Sequence, residues 1–173
     1  ILILSTFSAK AEEGKVGFGI DLGYGFADIG ADQKAQALAN AIGSTVTYTE
    51  ESATLAGRIY IDYGIKSDVL LELGYFQSDS LDASYTNSGV TVTEGYTVKG
   101  FDLSAVYKPN EEGFFGKAGI HSSEVTGTVT LQGQSVSASA SGENFLAGLG
   151  YEGALSNGKK WRAGVTYYND IGD

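Results

Sequence analysis

The single histidine of this chain, His121, is followed two residues later by a serine. In a β-strand His121 and Ser123 lie on the same face, because successive side chains alternate between the two faces. A histidine that takes the proton from a serine hydroxyl makes the serine a nucleophile, and a carboxylate orients the histidine. Glu124 lies on the other face of a regular strand, so Glu143 is the candidate for this role. The alternative is a polar histidine that leads into a serine-rich loop.

Charged residues that interrupt apolar or glycine-rich segments form a second candidate site. Opposite charges inside a narrow space pair with one another, because an unpaired buried charge is costly. The eight members are Asp21, Arg58, Asp62, Glu72, Asp102, Lys117, Glu152 and Arg162. We expect Lys117 to reach Asp102 or Glu72. We expect Arg58 to separate Asp62 from Asp21. The acids outnumber the bases, so a proton, a water molecule or a cation must offset the excess. The alternative is that these charges line a water-filled interior of the protein without contacting one another.

One pair within this set follows from the chemistry of a turn. The letters "SNG" before Lys159 predict a three-residue turn whose glycine has a positive φ, which places Leu155 opposite Lys159. Counting back along both strands places Glu152 opposite Arg162. Directly opposed residues have Cβ atoms roughly 4.5–5.5 Å apart, which is within reach of an ion pair.

Nine further carboxylates lie in polar segments between the apolar ones. They are Asp28, Asp32, Glu50, Glu51, Asp79, Asp82, Glu94, Glu124 and Glu143. Because Ca²⁺ and Mg²⁺ bind carboxylate oxygens, one interpretation is that divalent cations bridge these residues to lipopolysaccharide phosphates. The alternative, which we favour, is a solvated acidic surface.

Composition argues against several other kinds of chemistry. The chain has no cysteine, which excludes disulfides and thiolate metal sites. No metal-ligand spacing and no phosphate-binding glycine loop occurs in the sequence. A net charge of -10 argues against a nucleic-acid partner. We therefore expect no cofactor and no metal, and we expect that the protein is not an enzyme.

The candidate residues lie on segments with strict two-residue periodicity. In "VGFGIDLGYGF" (16–26) each even position is large and apolar or aromatic, and each odd position is glycine or aspartate. The chain has 25 Gly, 11 Tyr and 8 Phe but one Pro, a mixture typical of β-strands. Six more segments alternate in a similar way: "ATLAGRIYIDYGI", "DVLLELGYF", "GFDLSAVYK", "FFGKAGIH", "NFLAGLGYEG" and "KWRAGVTYYN". The pattern predicts seven strands of about ten residues each.

The connections between these strands alternate in length. Three are short turns, "IKSD", "PNEEG" and "SNGK", and three are long polar segments at 28–52, 78–96 and 122–142. The flanks of the long segments keep some alternation, so we expect hairpins that extend beyond the strand cores. Within the first, "DQKAQALANAIG" predicts a short helix with Asp32 as its N-cap and Gly43 as its stop.

This alternation of lengths places all short turns at one end of a barrel and all long loops at the other, the plan of outer-membrane barrels. The apolar face then points to lipid and the nearly bare face to the lumen. Lipid-facing residues are expected to include Val16, Phe18, Ile20, Leu22, Leu71, Leu73, Leu103 and Leu149, and lumen-facing residues Gly19, Arg58, Glu72, Lys117 and Glu152. The alternative is a soluble up-and-down barrel with an apolar interior, which would need long polar side chains where these glycines stand.

The segments "GIDLGYGF", "GFFGKAG", "FLAGLGYEGAL" and "WRAGVTYYND" resemble the small eight-stranded outer-membrane barrels of the OmpA transmembrane-domain and OmpX-like group. The resemblance covers Lys15 to Asp173 and implies an all-β, antiparallel, up-and-down transmembrane β-barrel. It implies a monomer with a role in membrane integrity, surface adhesion or host interaction. The peptidoglycan-binding domain of OmpA is not in this sequence. The His121–Ser123 pair resembles the catalytic set of lipid A deacylases, which are also small barrels, although the following residues do not match.

The domain organisation follows from these patterns. Residues 1–11 have the character of a secretory signal peptide remnant, with a small-x-small cleavage site at Ala9-Lys10-Ala11. Residues 12–173 are predicted to be the barrel domain, truncated before its last strand, because single-chain bacterial barrels have even numbers of strands.

These observations predict a bacterial outer-membrane protein with a structural, adhesive or host-interaction role through long extracellular loops. Its partners would be outer-membrane lipid, lipopolysaccharide and host surface molecules. Two alternatives remain, a small pore and a lipid A deacylase-like enzyme.

Overall fold

A computed structural model describes residues 5–9, 13–155 and 159–172 of the chain. This part is built from antiparallel strands and one short helix, α1 (Ala31–Ile42). The strands are β1 (Ser5–Ala9), β2 (Val16–Phe26), β3 (Thr47–Glu50), β4 (Ala53–Lys66), β5 (Val69–Ser78), β6 (Leu81–Asn87), β7 (Val90–Tyr107), β8 (Gly113–Leu131), β9 (Gln134–Ala154) and β10 (Lys159–Tyr168).

Eight of these strands form a single ring of ladders. Around the ring, the order of paired strands is β2, β4, β5, β7, β8, β9, β10 and β1, and β1 pairs in turn with β2. All of these pairings are antiparallel, which confirms the predicted all-β, antiparallel, up-and-down barrel. Neighbouring strands run in opposite directions because each follows its neighbour along the chain. The short strands β3 and β6 lie in the connections β2–β4 and β5–β7, at one end of the barrel.

The strand that closes the ring comes from the segment assigned above to a signal peptide remnant. The backbone of β1 pairs with β2 through Phe7 and Ile20, and with β10 through Ala9 and Lys159. The structure thus has eight barrel strands and not the predicted seven. The backbone of an extended segment can pair with the edges of β2 and β10 whatever its side chains are. Beyond these pairs the facing edges of β2 and β10 have no ladder partner among the described residues. Cleavage of this segment stays a prediction.

The two ends of the ring differ as the connection lengths predicted. Short connections at 67–68 and 108–112 lie at one end, here called the turn end. At the other, the loop end, β6 pairs with the first part of β7 and with β3. The β8–β9 hairpin continues beyond the barrel to a turn at Gln132–Gly133, and β6 and β7 meet at Ser88–Gly89. Both turns have two residues of positive φ, as a type I′ turn requires.

Helix α1 packs on the β3–β6 part of the loop end through small side chains. Ala31 and Ala35 form a buried cluster with Ala83 and Tyr85. Gly30 (φ 68°) occupies the N-cap in place of the predicted Asp32, which lies in the first turn, and Gly43 (φ 66°) ends the helix as predicted. Asp28 instead accepts a hydrogen bond from the Gly30 amide (2.9 Å) and so supports the entry to the helix.

Within the described residues, no helix combines the length and the apolar character needed to cross a lipid bilayer.

Candidate functional site

The two faces of the barrel strands carry opposite chemistry. Val16, Phe18, Ile20, Leu22, Leu71, Leu73, Leu103 and Leu149 are all exposed on the outside. Gly19, Arg58, Glu72, Lys117 and Glu152 are buried on the inside. A soluble barrel has the reverse arrangement, with apolar side chains inside and polar ones outside. The interior of this barrel therefore holds the charged side chains, and it is there that the candidate site lies.

Arg58 stands at the centre of the charged interior. Its Nε and Nη2 donate to the two oxygens of Asp102 at 2.8 and 2.7 Å, a bidentate pair that joins β4 to β7 over the intervening strand β5. Its Nη1 donates to Asp21 (3.1 Å) and to Glu72 (3.3 Å). One guanidinium thus contacts three carboxylates on three other strands. Asp62, which Arg58 was expected to separate from Asp21, lies outside this set of contacts.

Arg162 connects this centre with the turn end. It lies opposite Glu152 in the β9–β10 ladder, the pairing predicted from the turn, and its Nε donates to Glu152 Oε2 at 2.6 Å. Its Nη1 also donates to Glu72 across the barrel. Because Glu72 contacts Arg58 as well, it joins the two arginines into one network. Lys117 extends the network, with its Nζ 3.7 Å from both Glu72 and Asp102.

Two lysines complete the network at the turn end. Lys108 and Lys160 donate to the same oxygen of Glu152 at 3.0 and 2.7 Å. Sequence reasoning missed both because each stands at the end of its predicted strand, directly beside a turn, although each continues the inward-facing even numbering of that strand. The buried charges of the described residues are five carboxylates and five cations: Asp21, Asp62, Glu72, Asp102 and Glu152, with Arg58, Lys108, Lys117, Lys160 and Arg162. The expected excess of acid is therefore absent from this set.

Aromatic rings separate the charges from one another and fill the remaining space. The Cζ atom of Arg58 lies 4.6 Å from the ring centre of Tyr60, and that of Arg162 lies 5.3 Å from Phe115. Both contacts are favourable cation–π interactions. Gly19 faces Tyr60 from β2, where a Cβ atom would overlap the tyrosine ring. Gly19 of β2 therefore makes room for a large side chain of the neighbouring strand β4.

The three candidate catalytic residues do not come together. His121 is buried and its Nε2 donates to the carbonyl oxygen of Asn169 (2.8 Å), while Ser123 Oγ accepts from the Gly172 amide (3.1 Å). Glu143 lies opposite Ser122 in the ladder, so its exposed side chain is on the outer face. The expectation that Glu143 orients His121 is therefore wrong, since the register directs the two side chains to opposite sides of the sheet.

The carboxylates of the loop end are dispersed rather than clustered. Glu50 accepts from the Ile29 amide (3.3 Å), Asp79 from the Ser80 amide (2.9 Å), and Glu124 pairs with Lys99 (2.8 Å). Within the described ranges, no group of three or more histidines or carboxylates has the arrangement to hold a metal ion. This geometry gives no support to the interpretation that divalent cations bind these residues.

Glu94 is the centre of a polar cluster between α1 and β7. It accepts from Lys34 Nζ (2.8 Å), Tyr96 Oη (3.0 Å) and Tyr85 Oη (3.4 Å). Burial alone would raise the pKa of Glu94, but the hydrogen bonds from Lys34 and Tyr96 outweigh it and hold that pKa below its ordinary value. The same contacts raise the pKa of Lys34 against the opposing effect of burial. The cluster is therefore an ion pair that ties the helix to the sheet.

The polarity of the strand faces reverses toward the loop end. On the outer face of β8 and β9, apolar Ile120 and Phe145 give way to hydroxyl pairs with Oγ atoms 2.8 Å apart. These pairs are Thr126–Ser139, Thr128–Ser137 and Thr130–Ser135. On the inner face the order is opposite, because charged Lys117 is followed by His121 and then by Val125. The barrel thus has an apolar exterior near the turn end and a hydroxyl-rich exterior near the loop end.

The same reversal occurs on β6 and β7. Leu81, Ala83 and Tyr85 of β6 are buried on the inside of the loop end. On the outside, Thr86 and Thr91 share a hydrogen bond of 2.9 Å. In both the β6–β7 and the β8–β9 hairpin, the polarity of the two faces therefore reverses at the loop end of the barrel.

No family model matches this chain, and no curated protein and no solved structure is significantly similar to it.

Proposed function

We propose that this protein is a bacterial outer-membrane β-barrel whose charged lumen is closed and whose loop end carries its interactions. The role is structural, adhesive or directed at a host surface, and it needs no catalysis. The observation that carries the proposal is the reversal of polarity along the strands. An exposed apolar band that runs around a barrel is favourable against lipid, and an exterior of hydroxyls is favourable in water.

The dimensions of the apolar band support a membrane position. Strand β2 has 11 residues, and its outward residues from Val16 to Phe26 are all exposed and apolar or aromatic. Eleven residues at about 3.3 Å each span about 36 Å, or about 28 Å along the axis of a barrel whose strands tilt by roughly 40°. The apolar band of outer-membrane barrels is about 25 Å tall.

Aromatic residues at both edges of this band support the same position. Near the turn end, exposed Tyr151 lies with its ring centre 5.3 Å from Phe114 and 5.8 Å from Trp161. Toward the loop end, Tyr75 and Phe101 have ring centres 5.1 Å apart. Tyrosine and tryptophan rings, which have one polar edge, are favoured at the level of lipid headgroups, so Tyr151, Trp161 and Tyr75 at the two edges support a membrane position.

The lumen network argues for a closed barrel over the alternative of a small pore. Arg58, Glu72 and Arg162 are each at most 5% exposed. The contact from Arg162 to Glu72 crosses the lumen from β10 to the opposite wall at β5, and Arg58 holds Glu72 from the neighbouring strand. An ion would have to displace these contacts to pass. The loop-end hairpins and α1 then remain as the surface available to partners.

The single tryptophan provides a direct test of the membrane position. Trp161 lies on the outer face within the aromatic row near the turn end. After reconstitution into vesicles, its fluorescence should be quenched by phospholipids brominated on their acyl chains and protected from aqueous iodide. Tyr48, exposed on β3 at the loop end, gives the matched control. In a Trp161→Phe, Tyr48→Trp variant, iodide should quench and brominated lipid should not. Quenching of Trp161 by iodide alone would contradict the proposal.

A further inference from the structure

We propose that the loop end of the barrel contains a binding site for a small, uncharged, apolar molecule. A cavity of about 310 Å³ lies on the loop side of the charged network, and outward-facing Phe26 and Tyr167 line it at the ends of β2 and β10. Its walls include Ile29, Leu81, Val98, Val125 and Ile171. Tyr168, which also lines it, packs against Phe76 with ring centres 4.7 Å apart. This inference rests on the proposed membrane position only through the lipid nanodiscs used in its test.

The cavity is apolar because of the reversal of the inner face. Near the turn end the inner face carries charges, but on β7 and β8 it continues with Val98 and Val125. Tyr168 separates the two regions, since its hydroxyl donates to Asp102 (3.2 Å) and its ring belongs to the apolar cluster with Phe76 and Leu146. The cavity therefore stands on the charged network without exposing a charged group to a ligand.

The polar groups of the wall are already engaged by the protein. Thr54 Oγ1 donates to the Ser80 carbonyl oxygen (2.7 Å), and Ser78 Oγ accepts from the Val98 amide (3.0 Å). The hydroxyl of Tyr96 donates to Glu94 at 3.0 Å. A ligand with charges or several hydrogen-bonding groups would lose its hydration without replacement, which is costly. A molecule without such groups has no polar hydration to lose, and it gains dispersion contacts with the cavity wall.

The size of the cavity narrows the ligand class. A cavity of 310 Å³ is about twice the roughly 150 Å³ apolar cavity that is known to take up benzene, and it lies at the lower end of the range for ligand pockets. Two fused aromatic rings or a medium-length alkyl chain have a suitable volume. Either could come from a free apolar compound or from the chain of a lipid, and the chemistry of recognition is the same.

His121 and Ser123 hold one wall of this cavity in place. They bind the carbonyl of Asn169 and the amide of Gly172, the two ends of the segment that carries Ile171 to the cavity wall. Asn169 is held further by a hydrogen bond from its side-chain nitrogen to Asn144 Oδ1 (3.0 Å). This segment thus closes one side of the cavity while attached to β8 and β9.

Methyl resonances test the site directly. The protein in lipid nanodiscs, with methyl-labelled Ile and Val, is titrated separately with naphthalene and with decane. The methyl resonances of the cavity residues Val98, Val125 and Ile171 should shift and saturate with at least one probe. Outward-facing methyls of Ile59 and Val165 report unspecific partition into lipid. Saturation by naphthalene alone indicates a ring-shaped ligand, saturation by decane alone indicates a chain, and either supports the proposal.

Filling the cavity supplies the second half of the test. Val98→Phe should weaken binding by about tenfold or more, since a phenyl ring takes the space of the ligand. Ile171→Phe repeats the test from another wall should the first variant fail to fold. Val165→Phe, on the outer face, is the matched control and should bind as the unmodified protein does. Shifts that rise linearly at cavity and outward-facing methyls alike, or unchanged affinity in folded Val98→Phe and Ile171→Phe variants, would overturn the proposal.

Discussion

Glu152 and Arg162 lie directly opposite each other inside the barrel, with Oε2 and Nε 2.6 Å apart. Arg162 also reaches Glu72 on the far wall, and Glu152 also holds Lys108 and Lys160. The pair therefore connects the turn-end charges with the central network.

Removing Arg162 should open and destabilise the barrel. Arg162→Ala leaves two buried carboxylates short of a partner, and breaking a buried ion pair costs about 3–5 kcal/mol. We expect a lower unfolding temperature, measured by electrophoretic mobility after heating, and a higher conductance in planar bilayers. Lys99→Ala, which removes an exposed ion pair with Glu124, is the matched control and should change neither property. Conductance and heat stability unchanged by Arg162→Ala would refute the closed lumen.

Gly19 should tolerate no side chain. A Cβ atom there overlaps the Tyr60 ring, so Gly19→Ala should lower the free energy of unfolding by about 1–3 kcal/mol through overpacking. Gly116 has open space around its Cβ direction, so Gly116→Ala should be nearly neutral. Urea titration of both variants measures the difference. The double variant Gly19→Ala, Tyr60→Leu should recover part of the loss, and an additive loss would contradict this explanation.

The attachment of α1 should weaken at acidic pH. The pKa of Glu94 is lowered in the folded protein from an ordinary value of 4.5. Its stabilisation is therefore complete above that value and is lost as the pH falls through the lower folded pKa. Hydrogen exchange of the α1 amides should accelerate over this range. In Glu94→Gln the exchange should be faster at neutral pH and should lose this pH dependence, whereas the exposed carboxylate variant Glu143→Gln should behave as the unmodified protein.

His121 and Ser123 should matter for structure and not for hydrolysis. His121→Ala and Ser123→Ala each remove a hydrogen bond to the 169–172 segment, so its amides should exchange faster. Lipid A from cells that produce the protein should keep all of its acyl chains by mass spectrometry, with or without these substitutions. Loss of a chain that depends on Ser123 would instead establish a deacylase.

The projecting β8–β9 hairpin should carry surface interactions without supporting the barrel. Replacing residues 126–139 by a two-residue Asn-Gly turn keeps the ladder below Val125 and Ala140. We expect the heat stability of the barrel to change little and adhesion to host cells to fall. A matched variant with Thr128→Ala and Ser137→Ala removes one hydroxyl pair alone and measures the contribution of side chains. Adhesion that survives the deletion would place the interaction on α1 and β6 instead.

Part of the candidate site could be predicted from individual segments of the sequence. The alternation of Phe18 and Ile20 with Gly19 identified the two faces of β2, because strand geometry has a period of two residues. The Glu152–Arg162 pairing followed from the turn that joins their strands, because a hairpin sets its own register. The same reasoning missed the lumen roles of Lys108 and Lys160, which lie where the pattern passes into a turn.

The sequence by itself determined the strand class, the inward face of the eight predicted lumen charges, the alternation of turns and loops, and the pairing within one hairpin. Each of these depends on neighbours a few residues apart. Only the tertiary structure decided that Arg58 joins Asp102, that Glu72 is shared with Arg162, that Glu143 faces away from His121, and that β1 lies between β2 and β10. The physical reason is that partners across a barrel depend on its closure and on the stagger of all its strands, which no single segment contains.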